Sequence, residues 1–131
     1  MVGAIAASLA VFALSSQASV AATANGLGND VSTLQGIVVE TLLTAIFLLV
    51  ILTVTKRAPN HAAFAIPLTL MVIHFAGIPF SGASVNPARS LAPALVGGSL
   101  DQSIIVWIAG PLVGAVLGWA VYRALEDGST R

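Results

Sequence analysis

The chain has no cysteine among its 131 residues. That excludes disulfides, thiolate metal sites and cysteine nucleophiles. Charge is almost as scarce. Asp, Glu, Lys and Arg make up 8% of the chain, against about a quarter in a soluble domain. The formal net charge is zero, so there is no basic surface on which nucleic acid would dock. The two histidines, His61 and His74, are too few for a histidine-rich metal site. What is present is apolar: 57% of the residues are hydrophobic and the mean hydropathy is +0.99. This is the composition of a membrane-integral chain, with length for three full spans, short loops and no separate soluble domain.

Apolar runs set the organisation, and they predict an all-α membrane protein in one transmembrane domain over 1–131. Residues 2–14 are apolar but shorter than the roughly 20 residues a spanning helix needs. A signal peptide fits poorly, because no Lys or Arg precedes the run. The end of a partial span, begun further upstream, fits better. Residues 15–35 are small and polar, with Asn25-Gly26 and Gly28-Asn29-Asp30, and read as an exposed loop. Full spans are expected at 36–55, 62–80 and 104–125, joined at 56–61 by a tight polar turn and ended by a polar tail from Glu126. Gly110, Gly114 and Gly118 recur every four residues, the small-residue pattern of helices packed closely in membranes. Trp107 and Tyr122 suit the two membrane interfaces.

Lys56 and Arg57 lie in the middle turn, and Arg123 and Arg131 near the C-terminus, whereas 15–35 has no basic residue. By the positive-inside rule the turn and the C-terminus are cytoplasmic, which predicts a multi-pass protein of the cell membrane. The segment between the second and third spans must then dip in from the outer face and return. Asn86 is a good helix N-cap, and Pro87 follows at the first helical position, where a missing N–H costs nothing. A half-helix over 86–96 would end at Gly97-Gly98. Non-helical backbone at membrane depth is tolerated only when buried in protein or lining a watery cavity. Arg89, on the first turn of this half-helix, is costly unless compensated. Carbonyls of Ser81–Ser84 are candidate partners. Glu40 is a candidate acceptor for backbone N–H groups of the same loop.

Ser84-Val85-Asn86-Pro87-Ala88-Arg89-Ser90 resembles the second signature loop of the aquaporin (major intrinsic protein) family. Glu40 near the start of the preceding span, His74 before Gly77-Ile78-Pro79, and the Gly110-Pro111-Leu112-Val113-Gly114 run agree with it. The resemblance covers essentially the whole chain, but only the C-terminal half of a family built from two inverted repeats. It implies a bacterial water-channel-like half with one Asn-Pro-Ala motif, Asn86, Pro87 and Ala88. It further implies a selectivity filter of His74, Ala83 and Arg89, and pore carbonyls from Gly82, Ala83 and Ser84. Glu40 would support the loop. Ser90 stands where glycerol facilitators usually carry aspartate.

The implied mechanism is passive, single-file conduction of water. Arg89, His74 and Asn86 would donate to its oxygen, and Val39, Leu43, Ile66 or Leu70 would supply apolar wall. No cofactor, metal or enzymatic step is called for. The expected partners are the lipid bilayer, an N-terminal half or an intact homologue, and, for a full-length protein, a homotetramer. Two alternatives stand beside this: a facilitator of glycerol or another small neutral solute, and a non-conducting fragment that packs with intact homologues.

Overall fold

The computed structural model describes residues 1–128, so Arg131 and the end of the polar tail lie outside the described residues. The chain is helical: α1 (Val2–Leu14), α2 (Gln17–Ala21), α3 (Thr33–Arg57), a 3₁₀ turn at Pro59–His61, α4 (Ala62–Ser81), α5 (Pro87–Gly97) and α6 (Ile104–Gly128). Among the described residues, three segments, Thr33–Arg57, Pro59–Ser81 and Ile104–Gly128, are long and apolar enough to cross a membrane. The 25 residues of α3 rise about 37 Å, enough to cross a hydrocarbon core of about 30 Å. The 11 residues of α5 rise only about 16 Å and reach roughly half way.

Helix α3 begins three residues earlier than expected because Ser32 and Gln35 form a capping box: Ser32 Oγ accepts the Gln35 N–H, and Gln35 Oε1 accepts the Ser32 N–H. Lys56 and Arg57 complete its last turn, where cations are favoured.

The core is the seam between α3 and α6, which run in the same direction. A Cβ placed on Gly110 would meet Glu40 Cβ at 2.5 Å, and one on Gly118 would meet the Ala45 carbonyl oxygen at 2.6 Å. The missing side chains let the two backbones approach, and Thr41 Oγ1 donates to the Gly110 carbonyl across the gap at 3.2 Å. At the far end Lys56 Nζ pairs with Glu126 Oε1 at 2.5 Å. The basic turn and the end of α6 therefore lie at one end of the bundle. The 22–30 loop and the segment between α4 and α5 lie at the other, where the Gly28 N–H donates to the Phe80 carbonyl at 2.9 Å.

Two expectations are corrected. Residues 15–35 are not simply an exposed loop. Ser16 caps the short helix α2 through the Ser19 N–H, and Val20 on that helix is fully buried. The segment packs on α5 rather than trailing in solvent. Trp107 is not an interface anchor. It is 3% exposed, and its indole N–H donates to the Ser81 carbonyl at 2.7 Å.

Candidate functional site

The turn between α4 and α5 has an unusual backbone. Gly82, Ala83 and Val85 have φ of 74°, 50° and 45°. Glycine adopts such values freely, alanine with strain, and a β-branched valine rarely. Conformations of this kind persist only where the surroundings over-determine them. Here Glu40 does so. It is fully buried. Its Oε1 accepts the Ser84 N–H at 2.8 Å and the Ser81 hydroxyl at 2.7 Å, and its Oε2 accepts the Val85 N–H at 2.8 Å. One carboxylate from α3 thus takes the hydroxyl of the last residue of α4 and two N–H donors of a turn with no helix or sheet partner of its own.

The chain then enters α5. Asn86 is extended, and its Oδ1 accepts the Ala88 N–H at 3.0 Å. With the oxygen committed to the cap, the amide NH₂ is left to point away from the helix. Ser84 Oγ lies 2.9 Å from the Asn86 carbonyl and 2.5 Å from the hydroxyl of buried Ser90. Those contacts staple the turn to the second helical turn of α5.

His74 is half-buried on α4, with Nδ1 2.8 Å from the Leu70 carbonyl oxygen. A carbonyl only accepts, so Nδ1 carries the proton, and in the neutral ring Nε2 is an acceptor. That differs from the expectation that His74 donates. The donor nitrogen of the neutral ring is already engaged by its own helix.

Arg89 also departs from expectation. Its partners are not the Ser81–Ser84 carbonyls. Arg89 Nη1 donates to Asn25 Oδ1 and, at 3.3 Å, to the Thr23 carbonyl. Both partners come from the segment read as a free loop. Asn25 Oδ1 also accepts the Ser90 hydroxyl at 2.7 Å, and Asn25 Nδ2 lies 3.5 Å from the Ser81 carbonyl.

A cavity of about 490 Å³ brings His74, Ser84, Asn86, Pro87 and Arg89 together. Its remaining wall is mostly apolar. Thr44, Phe47, Leu48 and Ile51 form one helical stripe of α3, and Leu70 faces them from α4. Of the four wall residues expected, only Leu70 is there. Val39 and Leu43 line other hollows. An apolar helix carries no sequence mark of which stripe faces inward. Gly82 and Ala83 are also outside this lining. Ala83 is fully buried, so close that a Cβ on Gly77 would stand 3.0 Å from its methyl.

Sequence reasoning read Asn25 only as part of a loop, Trp107 only as an interface residue and Ser81 only as a source of a carbonyl, and so missed the part each plays in the site. Ser81 is the hub of the turn, touched by Glu40, Trp107 and Asn25. The available signal was the excess of small hydroxyl residues, Ser81, Ser84 and Ser90, in an apolar region that also held an unpaired carboxylate.

The profile of the major intrinsic protein family matches residues 1–122. Human aquaporin-2 is 41% identical over 103 residues, which cover 76% of this chain and 38% of the relative. Aquaporin Z of Rhodopseudomonas palustris is 45% identical over 97 residues, covering 71% and 40%. The lens fiber major intrinsic protein of Gallus gallus is 42% identical over 93 residues, covering 68% and 35%. The chain thus spans well under half the length of these relatives. With three membrane-spanning helices and a turn that carries Asn86-Pro87-Ala88-Arg89 beside a buried glutamate, the chain is a multi-pass membrane protein that belongs to the major intrinsic protein family.

Proposed function

We propose that this chain forms one half of a membrane channel that conducts water passively. The observation that carries the reading is the shared cavity, in which His74, Asn86 and Arg89, with the smaller Thr44 and Ser84, stand on a mostly apolar wall. An apolar tube with a few polar points suits single-file water, which needs hydrogen-bond partners at intervals but no strong binding. Arg89 and the free NH₂ of Asn86 donate to the water oxygen. Nε2 of His74 and the carbonyl of Ser84, which borders the cavity, accept its hydrogens. The first N–H groups of α5 add partial positive charge beside Asn86. That field raises the energy of a cation or an excess proton while leaving neutral water almost unaffected.

In this reading His74 and Arg89 form the constriction. Ala83 serves it from behind, as a small residue that lets the turn pack on Gly77. The half-helix α5 ends near mid-membrane, so the pore is completed by a second half-helix on an N-terminal half or an intact homologue. The basic turn and the C-terminus face the cytoplasm, and the complete channel assembles as a tetramer. The chemistry is transport, with no covalent step.

Stopped-flow shrinkage of proteoliposomes tests this. Vesicles holding the chain together with the complementary half of a family member should lose water much faster than bare lipid, and the chain alone should stay near the lipid rate. Assembled halves that leave water permeability at the lipid level would overturn the proposal. Glycerol uptake as fast as water flux would replace it with a small-solute facilitator.

A further inference from the structure

Arg89 borders two hollows. One is the cavity shared with His74 and Asn86. The other, of about 290 Å³, lies between α1, α2 and α5 and is lined by Ala4, Ala7, Ser8, Val11 and Val20, among others. A long side chain between two spaces has a choice of rotamers, so something must fix it. Its hydrogen-bond partners are Asn25 Oδ1 and the Thr23 carbonyl. Asn25 is itself held. Its oxygen accepts from Ser90 as well as from Arg89, and its NH₂ faces the Ser81 carbonyl. An asparagine fits this place because one end of the amide takes two donors while the other end gives to a carbonyl. The fit is close, since a Cβ on Gly82 would lie 2.6 Å from Asn25 Nδ2.

We propose that Asn25 is a specificity-determining positioning residue: its amide holds the Arg89 guanidinium on the His74 side and so sets the size of neutral solute admitted. The inference about solute size rests on the channel reading above. The inference about Arg89 does not. Without the Asn25 oxygen, Arg89 keeps only the Thr23 carbonyl and swings toward the second hollow. The constriction widens and loses its discrimination between water and larger neutral solutes.

Two measurements test this, and they fail separately. The first uses the full chain in lipid nanodiscs with ¹⁵N-labelled arginine, the Arg89 resonance being identified by its loss in Arg89→Lys. Guanidinium N–H exchange with solvent at Arg89 should be slower than at Arg57 and Arg123. In Asn25→Ala it should rise by roughly tenfold, the loss of one hydrogen bond to a charged group. Asn25→Asp keeps the accepting oxygen and should keep Arg89 protected. Unchanged protection in Asn25→Ala overturns the proposal. Should Asn25→Ala lose its helical circular dichroism, Asn25→Asp decides alone: Arg89 protected supports the proposal, and Arg89 exchanging like Arg57 overturns it.

The second measurement uses the water-conducting assembly. Asn25→Ala should raise the glycerol-to-water permeability ratio by roughly tenfold, the low end of what about one methylene of pocket size is worth. Asn25→Asp should leave the ratio near wild type. An unchanged ratio in Asn25→Ala overturns the role in specificity. A wild-type assembly that conducts nothing removes the channel reading, while the exchange experiment still decides whether Asn25 positions Arg89.

Discussion

Glu40 Oε2 accepts the N–H of Val85 at 2.8 Å from 45 positions away in the chain. The same carboxylate holds Ser81 and Ser84 through its other oxygen. A β-branched residue at a φ of 45° is therefore pinned by a buried anion rather than by local preference.

Glu40→Gln replaces one accepting oxygen with a donor. At least one N–H of the turn is then buried facing another donor. We expect the folded state to lose about 1.5–3 kcal/mol, as for a hydrogen bond to a charged group. Denaturation by sodium dodecyl sulfate, followed by circular dichroism, measures it. A variant as stable as the parent would show that the turn holds its shape unaided.

Gly110→Ala should weaken the α3–α6 seam by about 1–3 kcal/mol, because the new methyl would collide with Glu40 Cβ and the Ile37 carbonyl. Gly3→Ala is the control. Nothing lies within 4 Å of a Cβ there, so the helix should gain up to about 1 kcal/mol. Equal effects at the two sites in the same denaturation assay would contradict the close approach of the helices.

Trp107→Phe keeps an aromatic ring but withdraws the donor from the Ser81 carbonyl, and should cost about 1 kcal/mol. Trp119→Phe, at a residue 54% exposed, should stay within about 0.5 kcal/mol.

His74→Ala removes a ring that lines the same cavity as Arg89. In the assembled channel, glycerol permeability should rise by roughly tenfold or more, while water flux persists. Stopped-flow swelling in iso-osmotic glycerol reads this directly. No change in glycerol uptake would place the constriction elsewhere.

The helical elements were legible because their cues are local. Hydropathy marked α3, α4 and α6, Asn86-Pro87 marked the start of α5, and Gly97-Gly98 marked its end. Glu40 stood out because a lone carboxylate in an apolar run needs partners. What stayed hidden depends on which residues meet in space. Asn25 sits in a run of small polar residues that reads as a turn, and nothing nearby in sequence says that it reaches Arg89. The cavity stripe of Thr44, Phe47, Leu48 and Ile51 lies on a helix apolar on all sides, where periodicity carries no information. The proton on His74 Nδ1 follows from a carbonyl one turn back, a detail that geometry alone supplies.

The half-helix α5 packs chiefly against α1 and α2, the first elements of the chain, and only lightly against α6, its successor. Contacts between distant segments form late, because the loop between them must close before they give any return. In the chain α5 follows α1 and α2 with the two membrane-spanning helices α3 and α4 between, and has to pack back on the earlier elements. The element that carries Asn86 and Arg89 is thus the one whose placement reports that the bundle has been put together correctly. A substitution in α1 or α2 that weakens this docking would therefore displace Asn86 and Arg89 without touching either residue.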